Sequence, residues 1–118
     1  MTFQELGLRQ ELLDAVAELG FVNPMPVQEQ VIPYMLTHEN DLVALAQTGT
    51  GKTAAFGLPI LNMVNVEQRK IQSLVLAPTR ELCIQIANDI KNFASKMRGV
   101  KVVPVYGGES IVVQYRQL

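Results

Sequence analysis

Eight consecutive residues, Ala46-Gln47-Thr48-Gly49-Thr50-Gly51-Lys52-Thr53, carry the most specific chemistry in this chain. Counted from the alanine they read A-x-x-x-x-G-K-T, the spacing of a phosphate loop with an added glycine at 49. Glycines at 49 and 51 let the backbone turn tightly enough for successive N–H groups to face phosphate oxygens. A helix opening at Lys52 adds unpaired donors and a positive dipole end. Lys52 is expected to bridge the β- and γ-phosphates and to stabilise phosphoryl charge, and the Thr53 hydroxyl to coordinate Mg2+. Gln47, Thr48, Gly49, Thr50 and Gly51 complete the expected cradle. The plain alternative is a glycine-rich turn with an incidental lysine. Turnover needs more: a carboxylate for the metal and an acid to orient water. Glu81 and Glu109 are the nearest candidates, and Glu81 has a simpler use in the first turn of a helix, where a carboxylate favours the dipole.

The elements around the loop follow from periodicity. Phe3 to Leu19 reads as one helix, with Leu8, Leu12, Val16 and Leu19 on a single face. Gly20 breaks it, and a second helix starts at Pro26, burying Val27, Val31 and Met35, with Pro33 straining its later part. The apolar run 42–46 is too short for a helix and predicts a buried strand leading into the loop. A helix follows from Lys52, with Pro59 as a kink. Ser73 to Ala77 predicts a second strand, Leu82 to Met97 a long amphipathic helix, and Val100 to Val105 a third strand, an edge or bulge because of Pro104. Gly107-Gly108 predicts a turn, and residues 110–118 the first turns of a helix. This alternation predicts an α/β fold with a mostly parallel sheet flanked by helices.

Composition narrows the class without naming it. At 118 residues, 48% hydrophobic, the chain suffices for one core and not for two ordinary domains. No apolar run reaches the ~18 residues of a membrane span, and no signal peptide opens the chain. The single cysteine, Cys83, forms no internal disulfide and suits a reducing compartment, which points to the cytoplasm. A net charge of −1 excludes a chain-wide basic field for nucleic acid, although Lys91, Lys96, Arg98 and Lys101 cluster late in the sequence. On composition that cluster reads as a solvated face.

Taken together, Phe3, Gly20-Phe21-Val22-Asn23-Pro24-Met25-Pro26-Val27-Gln28, the loop at 46–53, Pro78-Thr79-Arg80-Glu81-Leu82 and Gly107-Gly108 resemble the DEAD-box RNA helicases over essentially the whole chain. The match is to the first half of that family's N-terminal RecA-like domain. The resemblance implies a P-loop NTPase of RecA-like fold, with residues 1–36 as adenine-recognition helices and loop and 42–118 as a βαβ core. It implies that Gln28 reads the adenine edge, as a carboxamide can, that Phe3 stacks on the base, and that Phe21 packs the turn beside the same pocket. On the residues alone, Gln28 reads first as a surface helix residue and Phe3 as a core plug, and only the family pattern overturns that. The family places Pro78, Thr79, Arg80, Gly107 and Gly108 against RNA, gripped through its backbone without sequence specificity; alone, Thr79 reads as a helix cap and Arg80 as a surface ion pair. Met25 stands where the family has threonine or serine, so the hydroxyl cap of the following helix, worth about 0.5–2 kcal/mol, is missing.

The implied function is ATP and Mg2+ binding within a helicase that separates short RNA duplexes. The family's Asp-Glu-Ala-Asp and Ser-Ala-Thr segments and its second RecA-like domain are expected beyond Leu118, so this piece alone is expected to bind nucleotide without turnover. An open sheet edge is then expected to promote self-association. A non-catalytic helicase-like scaffold and another P-loop NTPase, such as a kinase or GTPase, are the competing readings.

Overall fold

The structure, a computed structural model, describes residues 1–47, 51–108 and 110–118. Among these residues, a 3-10 turn at Phe3–Leu6 is followed by five α-helices: α1 (Gln10–Glu18), α2 (Pro26–Thr37), α3 (Lys52–Met63), α4 (Arg80–Phe93) and α5 (Ile111–Gln117). The single helix expected over Phe3 to Leu19 is therefore two pieces. Gly7 separates them in the left-handed region at φ 92°, a conformation that apolar periodicity does not register. The end of α1 is set by Gly20 at φ 88°. The Gly20 N–H donates to Ala17 and the Phe21 N–H to Val16, the paired bonds that close a helix C-terminus. That closure leaves Leu19 exposed and turns Phe21 back over the core.

Leu6, Leu8, Leu12, Val16, Ile32, Leu58, Leu61, Ile90 and Phe93 form the centre of that core. It is built where α3 packs between α2 and α4, with α1 against α4. The buried face of α2 is Gln28, Val31 and Ile32 rather than Val27, Val31 and Met35; Pro26 opens the helix as expected, and it continues past Pro33 to Thr37. Asn62 Oδ1 accepts from the Arg9 N–H at 2.7 Å, tying the start of α1 to the end of α3. Lys96 meets Glu18 at 2.5 Å across α1 and the turn after α4, and the Glu18 carboxylate raises the lysine pKa above its ordinary value.

The predicted parallel sheet is absent among the described residues. No residue among those described lies in a strand, and 42–47, 72–77 and 101–106 run as irregular chain. In the first two, the larger apolar side chains face outward: Val43 is 86% exposed, Leu45 94% and Leu76 85%; in the third, Val102 packs against the core. An apolar run states what a segment needs to bury; only a neighbour about 4.8 Å away in the hydrogen-bonding direction makes it a strand. These three segments form no ladder with one another, so α/β periodicity overstated the result. The described architecture is a helical core carrying three extended connections. Without a sheet among the described residues, the expected sheet edge falls as well.

One glycine on the buried face of α3 predicts a gain. Gly57 has ordinary helical geometry, and a Cβ there meets Ile90 at 3.4 Å and Phe93 at 3.7 Å, normal contact distances. Gly57→Ala should stabilise the chain by about 0.5–1 kcal/mol through helix propensity. Urea unfolding checks this; a lower midpoint would mean the α3–α4 seam has no slack.

Candidate functional site

α3 begins at Lys52, where the sequence expects it. Its N-cap, Gly51, sits at φ 80° and ψ 31°, and no side chain caps the helix. The donors of its first turn are therefore not taken by a capping side chain, as an anion-binding helix start requires. Lys52 is exposed and Thr53 half-buried at this end. Gln47 is exposed on the approach. Thr48, Gly49 and Thr50, named as the rest of the cradle, lie outside the described residues, as does Glu109.

Gln28 is 2% exposed, so it is no surface helix residue. Its Oε1 accepts from the Met25 N–H at 2.9 Å, and its Nε2 donates to the Gly51 carbonyl at 3.3 Å. One carboxamide thus joins the N-terminus of α2 to the N-terminus of α3. A Cβ added at Gly51 would run into that amide and touch the Met25 Cγ at 3.4 Å. Met25 occupies the N-cap position of α2 and offers no side-chain cap. Gln28, reaching back to the Met25 N–H, supplies the half of a capping box that does not need the hydroxyl. An amide carries two donors and two acceptor lone pairs, and among the described residues Gln28 uses one of each in these two bonds.

The two aromatics differ in burial. Phe3, expected to stack on a base, is 3% exposed and belongs to the core cluster. Phe21 lies over it with ring centroids 6.2 Å apart and meets Phe93 edge-on at 6.0 Å. At 36% exposure, Phe21 is the ring with an open face.

A second group gathers at the start of α4. Thr79 is the N-cap, its Oγ1 accepting from the Leu82 N–H at 3.1 Å. Pro78, Thr79 and Arg80 are exposed. Arg80 Nη1 donates to the Gly107 carbonyl at 3.3 Å, while its Nε lies 3.8 Å from Glu81. Gly108 is at φ 87°, and a Cβ there would collide with the Arg80 guanidinium. Residues 27 positions apart thus come together. Lys91 and Lys101, from the late basic cluster, line one groove of about 270 Å³ with Tyr106 and Gln114. Sequence reasoning missed Gln114, whose only signal is a polar residue among the apolar side chains of a short helix. No group of three or more His, Cys, Asp or Glu suited to a metal occurs among the described residues. Among the described residues no helix is long and apolar enough to cross a membrane.

Comparison with known proteins gives one consistent result. Residues 25–118 match the DEAD/DEAH box helicase family model. The chain is 50% identical over 117 residues to the ATP-dependent RNA helicase DeaD of Klebsiella pneumoniae, covering 99% of this chain and 18% of that protein. Its backbone follows the crystal structure of a DEAD box protein from the hyperthermophile Methanococcus jannaschii with a TM-score of 0.94, at 40% identity, over 100% of this chain and 32% of that one. Dbp5 of S. cerevisiae bound to RNA and ADP BeF3 aligns with a TM-score of 0.81 at 33% identity, covering 93% of this chain and 29% of that one. The chain spans about a fifth of the length of DeaD and, at 25%, a quarter of that of a CshA relative.

Proposed function

The chain belongs to the DEAD/DEAH box helicase family, and on that premise we propose that it is the ATP-gripping part of an ATP-dependent RNA helicase that separates short duplexes locally. The observation that carries the reading is the Gln28 joint. A buried carboxamide contacts the residue immediately before Lys52, and a carboxamide is the group that can offer a donor and an acceptor together to a base. On this reading the residue that reads adenine and the one that holds phosphate belong to one corner.

In this reading the uncapped start of α3 binds phosphate oxygens, Lys52 neutralises their charge, and Gln28 selects adenine over guanine. Phe21, with its open face, takes the stacking role in place of Phe3. Mg2+, when bound, offsets phosphate charge, and the Thr53 hydroxyl is the ligand this chain offers it. Thr79, Arg80 and the Gly107-Gly108 turn hold the RNA sugar–phosphate backbone, which fixes register without reading sequence. Support for RNA comes from this cluster and from the likeness to Dbp5 bound to RNA.

The test is strand separation of a short RNA duplex by the protein at its natural length. Separation should require ATP and disappear in Lys52→Ala with the fold retained. Separation that persists in Lys52→Ala, or that needs no ATP, would remove the helicase assignment.

A further inference from the structure

Among the described residues only two polar side chains are buried, Gln28 and Gln114. The first belongs to the nucleotide corner. The second, 5% exposed on α5, has no part in the chemistry described so far. Its carboxamide pairs with a single backbone residue in both directions: Oε1 accepts from the Tyr106 N–H at 2.7 Å, and Nε2 donates to the Tyr106 carbonyl at 2.9 Å. Two antiparallel bonds between one side-chain amide and one residue hold that peptide in position and orientation together. Tyr106 immediately precedes Gly107, whose carbonyl receives the Arg80 guanidinium. Beyond it, Gly108 sits in the left-handed region with no space for a Cβ beside Arg80. A small rotation at Tyr106 therefore displaces the carbonyl that orients Arg80.

We infer that Gln114 is a positioning residue for RNA, setting the Gly107-Gly108 turn against Arg80. The inference rests on the reading that this cluster holds the RNA backbone. Gln114 touches no RNA itself. It acts from α5 through Tyr106 and Gly107 on a guanidinium carried by α4, so two separate helices are linked by one amide. Its burial argues against a solvent-facing alternative, because a buried amide stays only where its hydrogen bonds are made.

The experiment is a titration of a labelled single-stranded oligouridylate, followed by anisotropy, into the protein at its natural length. Gln114→Met keeps the volume and removes both hydrogen bonds. RNA affinity should fall about tenfold, with the Mg·ADP dissociation constant kept as the readout of an intact nucleotide corner. Adding Gln114→Met to Arg80→Ala should cost little more than Arg80→Ala alone, since contacts in one network are not additive. If Arg80→Ala weakens RNA and Gln114→Met does not, or if the two losses simply add, the positioning role is wrong and the RNA reading stands. If Arg80→Ala leaves RNA affinity unchanged, the RNA reading fails and the inference with it. Should Gln114→Met not fold, Gln114→Glu carries the same two outcomes, because it keeps the bond from the Tyr106 N–H and loses the one to the carbonyl.

Discussion

Gly51→Ala should lower nucleotide affinity by at least about thirtyfold, roughly 2 kcal/mol at 1.4 kcal/mol per tenfold. Two costs fall on the same atom. The backbone at φ 80° disfavours any side chain, by about 1–2 kcal/mol. The new methyl also meets the Gln28 amide, and displacing that buried amide from its partners costs about 1–3 kcal/mol. Relief comes only by moving the loop or the glutamine, and each movement spoils one half of the nucleotide corner. Gly20→Ala separates the two costs, since its φ is 88° with nothing within 4 Å of the added atom. That variant should lose stability while keeping nucleotide affinity. Fluorescent nucleotide titration of both variants is the check. Equal nucleotide affinity in wild type and Gly51→Ala would mean that the corner is softer than its geometry implies.

Gly108→Ala should weaken RNA binding about tenfold, about 1.4 kcal/mol. It combines a φ of 87° with a collision between the methyl and the Arg80 guanidinium. Gly107→Ala next to it is the control, because an atom added there meets nothing within 4 Å and needs no left-handed backbone. The two neighbouring substitutions should therefore differ clearly in RNA anisotropy titrations. If both weaken RNA equally, close approach of the strand to the turn, rather than the pose of Arg80, limits binding. If neither does, the turn is not part of the RNA surface.

Much of the site's local framework was legible because it depends on neighbours in sequence. Lys52 opens a helix, Pro26 stands at a helix start, and Thr79 caps α4 through a bond three residues away. Gly107-Gly108 forms the expected turn. Apart from the break at Gly7, much of what failed depended on partners distant in the chain. The strand pattern at 42–46, 73–77 and 100–105 described a demand for burial, and the described residues supply no ladder to meet it. The face of α2 was misjudged because Gln28 is drawn inward by a carbonyl 23 residues away, and polarity alone had put it outside. Phe3 and Phe21 are chemically alike, so only the helix ending at Gly20 decides which ring is buried. Gln114 was invisible because its role lies in the backbone of Tyr106, which no side-chain pattern reports.

The central claim is that the corner made by Gln28, Gly51 and Lys52 is an adenine-nucleotide site. Calorimetric titration with Mg·ADP and, separately, Mg·GDP tests it most directly, with Lys52→Ala as control. The account predicts ADP at least tenfold tighter than GDP, about 1.4 kcal/mol, and loss of both in Lys52→Ala. Equal affinity for the two nucleotides, or binding indifferent to Lys52, would contradict it.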